Sequence, residues 1–176
     1  IDDDCDGVVD NTIGGSPNAV PDFSLPDTNP ASPTVGQDIS PRDYMQQISG
    51  WYFIKSTWGY CRTQFGYLAQ MQNELEAEYP QYDIQILAVN QIGYGSYTSL
   101  VASLGDIPMI QDNTTDNIWN TWHALTPNPS AQPYRDVHIL NADNEIVETY
   151  NLTTYNLGSA QNYATLKQMF VDAATP

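Results

Sequence analysis

One segment order restricts this fold more than any other property of the chain: a buried strand, a long helix, then a second buried strand. Trp51-Tyr52-Phe53-Ile54-Lys55-Ser56-Thr57 is aromatic and β-branched, the pattern of a buried strand. Over residues 61–79, Phe65, Leu68, Met71, Gln72 and Leu75 recur at three- and four-residue spacing. Glu74, Glu76 and Glu78 fall largely outside that stripe, and Pro80 ends the helix. Asp83 to Val89 is the second strand. A strand–helix–strand crossover is right-handed, so these two strands become parallel neighbours.

The remaining elements follow the same reading. A helical stretch is expected around 95–104, and Ile107 to Ile110 as a short strand. Asp116 is the expected cap of a helix over 117–125 that carries Trp119 and Trp122. Three prolines mark residues 126–133 as a loop. Val137 to Leu140 and Glu145 to Tyr150 form a hairpin around Ala142-Asp143-Asn144, and residues 159–173 close the chain as a helix with Tyr163, Leu166, Phe170 and Val171. The fold class is therefore α/β: a central mixed sheet flanked by helices. Residues 12–40 are rich in Pro, Ser, Asn, Asp, Thr and Gly and read as an irregular lead-in. We divide the chain into an acidic extension over 1–19 and one domain over 20–176.

Charge excludes two partner classes. Five Lys and Arg stand against 21 Asp and Glu, for a formal charge of −16. Five scattered cations form no basic stripe, so nucleic acid is not a partner, and docking on anionic lipid is disfavoured. No apolar run approaches the roughly 20 residues of a membrane span. The acidity, the low Lys content and the abundance of Asn, Thr, Tyr and Pro suit an exported protein, whether secreted, extracellular or periplasmic. The start at Ile1, with neither Met nor an apolar leader, is expected of a trimmed or matured chain.

The extension has its own pattern. Asp2, Asp4, Asp6, Gly7 and Asp10 reproduce the opening of a calcium loop, with alternating carboxylates and a glycine at the tight turn. The segment resembles a thrombospondin type 3 repeat, which implies Ca2+ at Asp2, Asp4, Asp6 and Asp10. Ile13 stands where an EF-hand places its bidentate acid, so the EF-hand version does not fit. The other reading is a solvated acidic tail.

Several short stretches carry a wider resemblance. Pro21-Asp22-Phe23-Ser24-Leu25-Pro26-Asp27 is similar to the opening of redoxin-type proteins with a thioredoxin-like fold (the peroxiredoxin and TlpA branch). Trp58-Gly59-Tyr60-Cys61-Arg62 follows the first strand, where that fold carries its CxxC. With Val89-Asn90-Gln91-Ile92-Gly93, Ile107-Pro108-Met109 and Asn113 to Trp119, these resemble the N-terminal domain of the selenoprotein P family over residues 20–172. The resemblance implies a thiol- or selenol-dependent redox site at a helix start. There the attacking residue would be at position 58 and the resolving one at Cys61, with Gly59, Tyr60 and Arg62 around them. A helix N-terminus stabilises a thiolate through unpaired N–H groups and the helix dipole. Disulfides or peroxides would be the substrates, with an external thiol as reductant.

The chain departs from this pattern at the attacking position, because Trp58 has no chalcogen. Selenocysteine is encoded by UGA, one base from the Trp codon UGG. Trp58 therefore stands for selenocysteine lost by readthrough, for a deliberate substitution, or for natural loss of the nucleophile. In each case a two-chalcogen cycle is not expected of the chain as written. A second departure lies before the hairpin, where Arg135 and Asp136 occupy the region of the family's usual cis-proline.

Other residues admit two readings each. Cys61 is half of a redox pair or a small buried hydrophobe. Cys5 pairs with Cys61, or with a partner elsewhere. Arg62 and Arg135 lie near the site, or form salt bridges with the abundant carboxylates. His123 and His138 join Cys61 in a metal site or pack in the core, the second reading being the stronger. Tyr60, Tyr94, Tyr97 and Trp58 line an aromatic groove, or cluster by chance among twelve tyrosines. The functional alternative to a redox domain is a non-catalytic extracellular module that binds calcium on the same scaffold.

Overall fold

The computed structural model describes residues 16–126, 129 and 133–175. Its centre is a five-stranded mixed sheet. The strands in chain order are β1 (Leu25–Pro26), β2 (Asp38–Ile39), β3 (Ile48–Ile54), β4 (Ile84–Asn90), β5 (Met109–Gln111), β6 (Asp136–Leu140) and β7 (Ile146–Asn151). The central sheet runs β5-β4-β3-β6-β7. β3, β4 and β5 are parallel neighbours, while β6 pairs antiparallel with both β3 and β7. The expected parallel pair and C-terminal hairpin are both present. β1 and β2 form a separate antiparallel pair within the lead-in.

β3 is buried at all seven positions, as suits a strand with helices over both faces. Its side chains alternate. Trp51 and Phe53 join Trp119 and Trp122 in one core, whereas Tyr52 and Ile54 join Phe65, Leu68 and Phe170 in the other. Helix α1 (Gly59–Glu78) and helix α3 (Ala160–Ala174) bury their apolar stripes in the second core. Helix α2 (Ile118–Leu125) covers the opposite face. Gly50 lies under the α3 residue Phe170: a Cβ built there would sit 2.4 Å from the Phe170 ring. Only the missing side chain allows this approach.

The lead-in is stitched to the sheet by Asp27. Its buried carboxylate accepts from the backbone N–H of Asn29 and Met109 and from the Thr34 hydroxyl. The Asn29 amide in turn donates to the carbonyls of Gly105 and Ile107. Phe23 packs edge-on against Trp51.

Three local expectations are corrected. β3 ends at Ile54, three residues before the expected limit, because Ser56 turns out of the ladder to take the Asn90 side chain at its N–H. Residues 95–104 give only a 3-10 segment (Gly95–Leu100) with no buried side chain, followed by turns anchored by the fully buried Val101. Asp116 does not cap α2. Asn117 occupies the cap position, and the buried carboxylate of Asp112 accepts from the N–H groups of Ile118 and Trp119. A carboxylate five residues upstream satisfies the orphan donors because the chain loops back through Asn113 to Asp116.

Candidate active site

The site lies where β3 hands over to α1. Lys55, Ser56 and Thr57 make the turn, Trp58 is the N-cap, and Gly59 begins the helix. The turn is held from inside the helix: the Arg62 guanidinium donates to the carbonyls of Ser56 and Thr57 at 3.0 and 2.6 Å. Trp58 offers no side-chain cap and is 37% exposed. Cys61, one turn on, is a free thiol with 0% exposure. Helical periodicity produces this contrast. Position 58 begins the helix at the surface, and position 61 faces the core with Phe65 and Leu68.

Two groups close over Cys61. Arg135 donates from Nε to the Cys61 Sγ at 3.4 Å. The Tyr52 hydroxyl donates to the Cys61 carbonyl at 3.2 Å. Burial, then the neighbouring Cys61 thiol, pushes the Tyr52 phenol well above the usual tyrosine range. Burial also raises Tyr60, while the Arg135 guanidinium opposes the shift. Tyr60 donates to the Leu152 carbonyl at 2.8 Å, tying the helix start to the segment after β7.

Arg135 reaches the thiol from an unusual backbone. Its φ is +70°, the left-handed region that non-glycine residues seldom adopt. The conformation is fixed by two hydrogen bonds, from Arg135 N–H to the Phe53 carbonyl and from Leu152 N–H to the Arg135 carbonyl. The segment is the one where the family resemblance would place a cis-proline, and among the described residues no peptide bond is cis.

An aromatic surface surrounds the opening. Trp58 meets Tyr134 edge-on at 5.7 Å. The Lys55 ammonium stands 4.5 Å from the Trp58 ring, 5.0 Å from Tyr134 and 5.8 Å from Tyr94. The Arg135 guanidinium lies 4.7 Å from Tyr60, 5.2 Å from Tyr134 and 5.5 Å from Trp58. Trp58, Gly59, Tyr60, Cys61 and Arg62 are thus assembled with Arg135 and Tyr94. Tyr97 is exposed and shares no ring contact with them. Lys55, Tyr134 and Tyr52 were not singled out from the sequence. Lys55 carried one signal, being one of only two lysines in an acidic chain. Tyr134 carried none, because its place depends on how the loop before β6 folds back.

Other expectations resolve differently. Among the described residues neither Arg62 nor Arg135 forms a salt bridge; the ion pairs are those of Lys167 with Glu74 and Glu78. His138 lies in the face opposite Cys61, edge-on to Phe53 at 4.8 Å, and no group of three metal-ligating side chains occurs among the described residues. The Cys–His metal site is therefore not assembled. Asp2, Asp4, Asp6 and Asp10, with the calcium loop they suggest, and Cys5 lie outside the described residues.

Solved structures similar to this chain share its thioredoxin-like fold. A thiol:disulfide interchange protein of the thioredoxin family from Chlorobium tepidum TLS has a TM-score of 0.66 at 10% identity, over 91% of this chain and 98% of its own. The thioredoxin domain of a thiol-disulfide oxidoreductase from Bacteroides vulgatus has a TM-score of 0.58 at 13% identity, over 90% and 99%. Arabidopsis thaliana ScoI, solved with copper bound, has a TM-score of 0.60 at 12% identity, over 88% and 96%. No protein-family model and no curated protein sequence matches the chain.

Proposed function

We propose that this chain is an exported thiol- or selenol-dependent redox domain of the selenoprotein P-like kind, with position 58 attacking and Cys61 resolving. The observation that carries the reading is the pairing of an exposed N-cap residue with a fully buried thiol one helical turn behind it. An attacking residue must meet its substrate at the surface. A resolving residue must be close to it yet shielded from competing reactions.

With a chalcogen at position 58 the cycle balances as follows. Its anion attacks one sulfur of a disulfide, forms a mixed bond and expels the first thiolate. The Cys61 thiolate then attacks residue 58 and expels the second, leaving a bond between 58 and 61. The two protons given up by residues 58 and 61 end on the released thiols. Two electrons from an external thiol reductant reopen the internal bond. Trp58 cannot take the first step, so the chain as written carries only the second half of the machinery.

Two experiments test this. Trp58→Cys creates the dithiol, and the expected result is thiol-dependent disulfide reduction that Cys61→Ser abolishes. A folded Trp58→Cys protein without turnover would overturn the proposal. The native gene is expected to carry UGA at codon 58; UGG there removes the readthrough account of Trp58 while leaving the redox test to stand alone.

A further inference from the structure

We infer that the surface over this site recognises carboxylates, so that its substrates are small thiols or disulfides bearing them. The thiol part of that description rests on the redox reading above; the carboxylate part stands on charge placement alone. The chain has five cations in all. Lys167 is paired with Glu74 and Glu78. The Arg42 guanidinium donates to the Val20 carbonyl in the lead-in. The other three, Lys55, Arg62 and Arg135, gather around the start of α1, in a chain carrying 21 acids.

Their donors are unequally used. Arg62 is occupied by the carbonyls of Ser56 and Thr57. Arg135 uses Nε on Cys61 and Nη1 on Thr153, and its Nη2 has no acceptor among the described residues. Lys55 is half-buried, and its ammonium likewise finds no acceptor among the described residues. Three aromatic rings surround it instead. Ring faces attract a cation, but they satisfy none of the directional demand of its three N–H groups. Lys55 and Arg135 also lie against the same two rings, Trp58 and Tyr134, and among the described residues neither is paired with an acid.

Carboxylates placed beside these two cations supply what is missing: charge to offset them, and oxygen acceptors for the free donors of Lys55 and Arg135. With 21 acids against five cations in the chain, a carboxylate is disfavoured away from this cluster. Trp58 and Tyr60, each 37% exposed, leave the approach open.

The test uses the unaltered protein and matched ligands in titration calorimetry. 3,3′-Dithiodipropionate is a dicarboxylate disulfide, 2-hydroxyethyl disulfide is neutral and cystamine is cationic. Suberate is a dicarboxylate without sulfur. Both dicarboxylates are expected to bind and cystamine is not. Lys55→Gln is expected to weaken dicarboxylate binding about tenfold, the worth of one charged hydrogen bond, while Lys55→Arg retains it. Equal binding of all three disulfides, no binding of either dicarboxylate, or indifference to Lys55→Gln would overturn the inference. Suberate binding alongside an inactive Trp58→Cys variant removes the redox reading and leaves the carboxylate site. Turnover by Trp58→Cys without dicarboxylate binding does the reverse.

Discussion

The guanidinium of Arg135 meets the sulfur of Cys61 at 3.4 Å across 74 residues of chain. The thiol is thereby sealed by a side chain from the residue just before β6, not from its own helix. Arg135→Ala removes the seal. Cys61 labelling by a maleimide, which in the native protein waits for local opening, is expected to speed up by at least about tenfold. Arg135→Asn, which tolerates the left-handed backbone, gives the same acceleration without added backbone strain. An unchanged labelling rate in both variants would show that Arg135 does not control access.

The carboxylate that serves α2 is Asp112, and mutation separates it from Asp116. Asp112→Ala leaves buried N–H groups of Ile118 and Trp119 without acceptors, at a cost of about 1–3 kcal/mol. Asp116→Ala loses only its bond from the Asn113 side chain and is expected to lose about 1 kcal/mol or less. Urea unfolding of the two variants gives the order directly.

Gly50→Ala drives a methyl group into the Phe170 ring. Overpacking of this kind typically costs about 1–3 kcal/mol. Adding Phe170→Leu to Gly50→Ala is expected to recover part of the loss, and a double-mutant cycle on unfolding midpoints measures the coupling.

His138 sets a pH dependence. Burial, with His123 nearby, lowers its pKa from 6.5 to about 3, so the folded protein keeps it neutral where the unfolded chain protonates it. Its contribution is fully present above pH 6.5 and declines as pH falls toward 3. At about 1.36 kcal/mol per unit, the loss is on the order of 4–5 kcal/mol over that window. His138→Phe keeps an aromatic ring beside Phe53 and is expected to flatten the decline of unfolding free energy below pH 6.5. An unaltered slope would assign the acid sensitivity to other groups.

The sheet and its two long helices were readable because each answers to a local period. The stripe through Phe65, Leu68, Met71 and Leu75 allows one helix, and the apolar run ending at Ile54 allows one strand. The cap of α2 is not legible in the sequence: Asp116 is the acid next to the helical pattern, yet the helix begins one residue later, behind Asn117, and Asp112 reaches the N–H groups only after the loop folds back. The site was legible from 58 to 62, where its residues are contiguous. It was not legible at Lys55 and Tyr134, 79 positions apart in sequence, whose meeting depends on the pairing of β3 with β6. Local pattern gives the machinery of the helix start; tertiary pairing gives what surrounds it.

The four tryptophans fall into two populations. Trp51, Trp119 and Trp122 are almost wholly buried in one aromatic layer, with Trp51 and Trp122 centred 5.3 Å apart, whereas Trp58 stands at the surface beside two cations. Ultraviolet emission from this protein is therefore the sum of a blue-shifted signal shielded from acrylamide and a red-shifted one open to it. The second comes from position 58 alone, so Trp58 is also a built-in optical probe of the candidate site.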